Sequence, residues 1–121
     1  MKPLIPNIYS RIPEDLPGEM VECLLKRDHI SIERIISKGH ITTPGQWYDQ
    51  AWDEWVMVLQ GRATLQYEND KHSITLTAGD YWLIPAHARH RVAWTQPDIA
   101  TLWLVIHLNK PTESIFGTLP A

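Results

Sequence analysis

The chain has little cysteine, no block of basic residues and no long apolar run. Cys23 is the single cysteine, so no internal disulfide can form, and we interpret it as a small hydrophobic side chain. No apolar run approaches the roughly 20 residues that a membrane-spanning helix needs, so we expect no membrane partner. A net charge of -3 without a basic cluster removes the attraction that supplies most non-specific nucleic-acid affinity, so we expect no nucleic-acid partner.

The length and the start of the chain indicate one domain in the cytoplasm. A chain of 121 residues is served by a single hydrophobic core. Its first residues are interrupted by Pro3, Pro6 and Asn7, and they lack the apolar core of about 7 to 15 residues that a signal peptide carries. We therefore expect a cytoplasmic protein.

Three parts follow one another along the chain. Residues 1–28 predict an N-terminal arm, rich in proline, followed by a short amphipathic helix within residues 14–26. Residues 29–108 predict a β-barrel, and residues 109–121 predict a C-terminal tail without a sustained period.

The predicted barrel consists of short β-branched and aromatic runs between turns. The first run begins at Ile30. Turn sequences such as Gln60-Gly61 separate the later runs from one another. The later predicted strands are residues 54–59, 62–67, 72–77, 81–84, 90–94 and 101–108. Short strands joined by regular turns are typical of an antiparallel sandwich or barrel, so the fold class is predicted as all-β.

Two segments carry the side chains of chemical interest, Tyr48–Gly61 and Gly79–His90. If Glu54 shares a strand face with Val56, it projects from an apolar wall into the barrel. An ionised carboxylate is costly to bury without a cation or hydrogen-bond donors. Glu54 therefore predicts a metal, an arginine or a histidine close by.

The spacing in these two segments resembles the cupin superfamily, specifically its small single-domain, conserved-barrel members. The first cupin motif has a glycine, His-x-His, three or four residues, a glutamate, six residues and a glycine; Glu54 and Gly61 match its second half. The second motif is matched by Gly79, Pro85 and His90. The resemblance implies one jelly-roll barrel, also called a double-stranded β-helix, and a divalent metal at its mouth, either zinc, iron or manganese.

The chain departs from the family where two metal-binding histidines are usual. The His-x-His positions hold either Tyr48 and Gln50 or Trp47 and Asp49. Of the usual ligand set, only Glu54 and His90 match positions of this chain. The predicted metal ligands therefore form a ranked set: Glu54, His90, Asp49, His87 and Gln50. If the protein is an enzyme, His87 or Asp49 would move the proton.

Each candidate also has a simpler interpretation. His87 could cap the turn after Pro85, and Asp49 could hydrogen-bond its own backbone in a turn. Trp47 and Tyr48 could form a stacking wall for a substrate, or they could serve as packing residues. His107 alternates with Trp103 and could face the cavity, although we interpret it as a hydrogen-bonded core or barrel-end histidine.

Two functional hypotheses follow. The leading one is a small cupin that binds one divalent metal and acts on a small molecule. The competing one is a metal-free cupin that binds or senses a small ligand without turnover. Because sheet edges and surface aromatics need cover, we also expect a homodimer, in which residues 1–13 could supply a strand.

Overall fold

The computed structural model describes residues 4–111, and within that range it contains eight β-strands and no helix. The strands are β1 Met20–Arg27, β2 His29–Ser37, β3 Asp53–Gln60, β4 Arg62–Tyr67, β5 Ser73–Thr77, β6 Tyr81–Ile84, β7 His90–Thr95 and β8 Thr101–Lys110. The strand boundaries predicted from the sequence between residues 54 and 108 agree with these bounds to within a few residues.

The strands form two antiparallel sheets. The larger sheet has the order β1-β2-β8-β3-β6, and the smaller sheet has the order β5-β4-β7. The predicted all-β jelly-roll barrel is thus confirmed. Since β1 and β6 are the outer strands of the larger sheet, β2, β8 and β3 lie in its middle and position the residues that face the interior.

The predicted N-terminal helix is wrong. Residues 20–27 form β1, which pairs antiparallel with β2 from Met20 opposite Ile36 to Arg27 opposite Ile30. Gly18 disfavours a helix, and the apolar residues that suggested one serve a strand equally well. A short apolar segment fits the periodicity of a helix and of a strand equally well until its pairing partner is known.

The chain before β1 lies against the protein's own larger sheet. The buried guanidinium of Arg34 on β2 donates hydrogen bonds to the carbonyl oxygens of Ile8 and Ser10, at 2.9 and 2.6 Å. It also pairs with the carboxylate of Glu22 on β1. The arm predicted for residues 1–13 is therefore tied to its own body through residues 8–10. Residues 1–3, and residues 112–121 of the predicted tail, lie outside the described residues.

Gly61 fits its motif position for a steric reason. It occupies the turn between β3 and β4 with φ +84°, a conformation that side chains with a Cβ rarely adopt. A Cβ at this position would lie 2.7 Å from the Cα of Thr101 on β8. The glycine therefore allows the turn and β8 to approach closely.

The hydrophobic core lies between the two sheets. Its fully enclosed side chains come from five strands: Val56, Val58, Ala63, Leu65, Leu76, Ile84, Trp103 and Val105. A cavity continues from this core toward the end of the barrel where the segment before β3 meets the start of β7. Within residues 4–111 no helix has the length and hydrophobicity to span a membrane.

Candidate cavity site

The cavity has a volume of about 330 Å³ and two kinds of wall. Its inner part is apolar, with side chains such as Val56, Leu65 and Val105. Its polar and charged lining residues are Glu19, Glu33, Tyr48, Gln50, Glu54, His90, His107 and Lys110. A cavity of this size is typical of sites for small molecules.

Glu54 is the central polar residue of the cavity. It lies near the start of β3, directly opposite His107 on β8 and Ile84 on β6, and its side chain is 14% exposed. Within residues 4–111 no group donates a hydrogen bond to its carboxylate, and His107 Nδ1 lies 3.8 Å from its Oε2. The prediction that Glu54 faces the barrel interior agrees with this placement.

His107 is buried and has a partner on each ring nitrogen. The indole Nε1–H of Trp52 donates to His107 Nδ1 at 2.8 Å. His107 Nε2 lies 2.7 Å from Glu33 Oε1. Because an indole N–H can only donate and a carboxylate can only accept, Nδ1 is the acceptor and Nε2 carries the hydrogen. This arrangement corresponds to one defined tautomer of the ring.

The same contacts act on Glu33. The hydrogen bond from His107 lowers the pKa of Glu33 below its usual value, and this outweighs the opposing effect of burial. The charge of Lys110 lowers it further, and the Lys110 ammonium also lies 5.1 Å from the ring centre of Trp52. Glu33 therefore stays a carboxylate at neutral pH beside the cavity.

His90 begins β7 and is 4% exposed. Its Nδ1 lies 2.8 Å from the carbonyl oxygen of Ala88. A carbonyl only accepts, so Nδ1 carries the hydrogen and the neutral ring leaves the Nε2 lone pair available. His90 can therefore accept a hydrogen bond or bind a metal through Nε2.

The segment of residues 48–52, which we call the rim loop, supplies Tyr48, Gln50 and Trp52 to the cavity wall. Tyr48 and His90 exchange two backbone hydrogen bonds of 2.7 and 3.1 Å, and the backbone N–H of His87 donates to the Gln50 carbonyl at 2.6 Å. The side-chain Oε1 of Gln50 is buried, and no group in the described part of the chain hydrogen-bonds to it. This orphan acceptor is a second group in the wall that lacks a donor.

The pKa of Tyr48 is raised, in part by the negative charges near the rim. Burial raises the pKa of the Tyr48 hydroxyl, and the carboxylates of Glu19 and Glu54 raise it further. A hydrogen bond with Thr42 lowers this pKa but does not offset the rise. Its ring lies 5.6 Å from the ring of His90. Tyr48 is therefore part of the cavity wall, whereas Trp47, its predicted companion in a stacking wall, does not line the cavity.

His87 and Asp49 lie elsewhere. His87 Nδ1 is 3.2 Å from Asp49 Oδ1, and the two side chains are 71% and 41% exposed. Neither residue lines the cavity. The structure thus brings together the two predicted catalytic residues, but on the solvent side of the rim loop.

The predicted metal ligands divide between the two places. Glu54, His90 and Gln50 line the cavity, while Asp49 and His87 do not. Within the described part of the chain, no three His, Cys, Asp or Glu side chains converge in a way that could hold a metal ion. The residues present therefore do not reproduce the four-ligand set that the family resemblance implies, and we derive no chemistry from a metal.

Sequence reasoning did not select Trp52, Glu33 or Lys110, and it gave His107 a structural role. The available signal was the alternation of Trp103, Val105 and His107, which places all three on the inner face of β8. Glu33 is separated from His107 by 74 positions, so no local motif could connect them.

Comparison with known proteins agrees with this architecture. A family model described as "Cupin domain" matches residues 34–107. No curated protein matches the sequence.

Solved structures include similar chains. A Ralstonia eutropha protein, provisionally named a mannose-6-phosphate isomerase, is 42% identical; the match covers 89% of this chain and 100% of that one, with a TM-score of 0.84. A cupin superfamily protein from Desulfitobacterium hafniense is 21% identical, with coverage of 82% and 84% and a TM-score of 0.67. A Streptococcus pyogenes protein of unknown function is 15% identical, with coverage of 93% and 92% and a TM-score of 0.69. The last two likenesses concern the fold alone.

Proposed function

This chain belongs to the cupin family, and we propose that its cavity binds a neutral or positively charged small molecule that donates hydrogen bonds to Glu54. The observation that carries this proposal is a carboxylate only 14% exposed, in a cavity wall, with no donor from residues 4–111. A carboxylate in such a place is costly unless a donor or cation reaches it. A ligand would supply what the protein does not.

The other acceptors of the wall support the same class of ligand. The buried Oε1 of Gln50 lacks a donor, and His90 offers the Nε2 lone pair. The remaining wall is largely apolar, around Val56 and Val105. The ligand we propose therefore combines hydroxyl or ammonium groups at one end with an apolar part that displaces water at the other.

The charge of the wall argues against a phosphorylated ligand. Among the described lining residues, the three carboxylates of Glu19, Glu33 and Glu54 outnumber the one ammonium, that of Lys110. A phosphate dianion would be repelled by this potential, whereas a neutral polyol or an amine would not. The provisional name of the Ralstonia eutropha protein implies a sugar phosphate, and we do not extend that substrate to this chain.

A divalent metal is the second candidate, because Glu54, His90 and Gln50 are all acceptors in one cavity wall. Zinc, iron or manganese would find two good ligands and one weak amide ligand among them, fewer than the family pattern supplies. A catalytic role for His87 and Asp49 would need a substrate that extends over the rim, and it stays a prediction. The expected homodimer also stays a prediction.

A thermal-shift screen tests the proposal and separates the two candidates. Protein purified without a histidine tag would be incubated with mannose, glucosamine, a small library of neutral and cationic amines and polyols, mannose 6-phosphate, each metal, or EDTA. We expect stabilisation by unphosphorylated donors and no response to EDTA. Destabilisation by EDTA, restored by zinc, iron or manganese, would favour the metal candidate.

The matched variants are Glu54→Gln and, as a control, Glu14→Gln at an exposed position outside the cavity. Stabilisation by a probe should be lost in Glu54→Gln and kept in Glu14→Gln. Equal stabilisation of both variants, or stabilisation by mannose 6-phosphate alone, would contradict the proposal.

A further inference from the structure

The hydrogen bonds around His107 run in one fixed direction. Trp52 can only donate and Glu33 can only accept. His107 therefore accepts a hydrogen bond at Nδ1 from the indole and donates one from Nε2 to the carboxylate. All three side chains line the cavity, and His107 is only 7% exposed, so water competes weakly for these bonds. The ring is therefore held in one tautomer and one orientation.

This direction has an effect on Glu54. His107 Nδ1 lies 3.8 Å from Glu54 Oε2, and the two residues are directly opposite each other on β8 and β3. Because Nδ1 is already the acceptor for Trp52, it carries no hydrogen that it could donate to Glu54. His107 thus donates no hydrogen bond to the Glu54 carboxylate.

Trp52 also holds one end of the rim loop. The first residue of the loop, Tyr48, is fixed to β7 and its middle residue, Gln50, to the turn before β7 by backbone hydrogen bonds. Its last residue, Trp52, is 8% exposed and reaches across the cavity wall to β8. The orphan acceptor of Gln50 therefore lies between two anchors, one made by the backbone and one by the indole.

We infer that Trp52, acting through His107, is a positioning residue that keeps the Glu54 carboxylate free for the ligand and fixes the rim loop that carries Gln50. The inference rests on the proposed ligand site for its purpose. Its physical content, a fixed tautomer and an anchored loop, can be measured without any ligand.

The first experiment determines the tautomer of His107 in the wild-type protein. Nitrogen-15 NMR of histidine-labelled protein, with His107→Gln used to assign the resonance, should show hydrogen on Nε2 and a lone pair on Nδ1. A ring with hydrogen on Nδ1 in the neutral form would overturn the inference, since it could then donate to Glu54.

The second experiment measures hydrogen–deuterium exchange of residues 46–53 in Trp52→Phe. This variant keeps an aromatic ring, with a smaller volume, and removes the N–H. We expect exchange in the rim loop to be roughly fivefold faster, the factor that one hydrogen bond of ordinary net strength confers. Exchange in residues 68–72 should not change. The control is Trp94→Phe, at a half-exposed tryptophan outside the cavity.

A rescue experiment tests whether His107 acts through its hydrogen bonds and not through packing alone. His107→Leu removes the hydrogen bonds to both Trp52 and Glu33 and could fail to fold. His107→Gln keeps an acceptor and a donor on one amide. Slow rim-loop exchange in His107→Gln, against fast exchange in Trp52→Phe, supports the inference. Unchanged exchange in Trp52→Phe overturns it.

Probe binding then separates this inference from the proposed function. If glucosamine or another amine or polyol stabilises the wild type, Trp52→Phe should weaken its binding by a similar factor, and Trp94→Phe should not. If no probe binds, the proposed function fails, while the tautomer and exchange results still decide the inference.

Discussion

The molecule contains two histidine–carboxylate pairs whose chemistry is alike and whose surroundings differ. His87 and Asp49 are 3.2 Å apart on the solvent side of the rim loop, and both side chains are well exposed. His107 and Glu33 are 2.7 Å apart beside the cavity, and both are mostly buried. The outer pair is screened by water, whereas the inner pair must satisfy its polar atoms within the protein.

The difference shows that a place in a motif segment does not decide whether a side chain reaches the cavity. The outer pair belongs to the two motif segments, and the sequence therefore selected it for catalysis. The inner pair joins β2 to β8 and has Trp52 on one side and Glu54 on the other. Trp52 and Glu33 fix the direction of the inner pair's hydrogen bonds, and burial excludes water from them, so the inner pair is part of the candidate site.

The largest contrast is expected from the same substitution in each pair. His107→Asn leaves Glu33 without its donor in a buried place, so the free energy of unfolding should fall by about 3 kcal/mol. His87→Asn should cost less than about 1 kcal/mol, since an exposed pair contributes little and asparagine tolerates the backbone conformation at φ +63°. Urea titrations measure both values. Losses of equal size would remove the distinction between the pairs.

The second contrast concerns acid. The pKa of Glu33 is lowered from its usual value of 4.5, chiefly by the hydrogen bond from His107, so the unfolded chain binds this proton more readily than the folded one. The resulting stability is present above about pH 4.5 and is lost as the pH falls through the lower folded-state pKa. Glu33→Gln should therefore make the free energy of unfolding fall less steeply from about pH 5 to about pH 3, each limit holding to about one pH unit.

Urea titrations at several pH values across this range measure that decline. The control is Glu14→Gln, at an exposed position. If Glu33→Gln and the control decline with acid as steeply as the wild type, the hydrogen bond from His107 does not hold Glu33 in its ionised form.

The smallest effect is expected from Asp49→Asn. This change removes the charge of the outer pair while keeping the side chain's size, and Asp49 does not line the cavity. Stability should change by less than about 0.5 kcal/mol, and binding of cavity probes should not change. Loss of probe binding in this variant would return Asp49 to the site, as the sequence predicted.

The fold could be predicted because its determinants are local. Turn residues and β-branched runs mark the strands from β3 to β8, and Gly61 marks a turn whose close approach to Thr101 admits no side chain. The helix predicted within residues 14–26 was wrong because β1 is defined by pairing with β2, which the segment's own periodicity does not reveal.

The site could be predicted only in part. Glu54 and His90, which the two motifs select, both line the cavity, while their role as metal ligands stays a prediction. The bonds of His107 to Trp52 and to Glu33 span 55 and 74 positions, and they depend on the register of β8 between β2 and β3. Hydrogen-bond direction and burial follow from that register, so they become visible only in the folded chain.

The most direct measurement is the affinity of one unphosphorylated probe, the strongest in the thermal-shift screen, for wild type, Glu54→Gln and Asp49→Asn by titration calorimetry. The charge of Glu54 adds about 1 to 1.5 kcal/mol to a hydrogen bond from the probe, so Glu54→Gln, which keeps a neutral acceptor, should bind about five- to tenfold more weakly. Asp49→Asn should bind as the wild type does. Unchanged affinity in Glu54→Gln, together with weakened binding in Asp49→Asn, would contradict the account and place the site on the outer face of the rim loop.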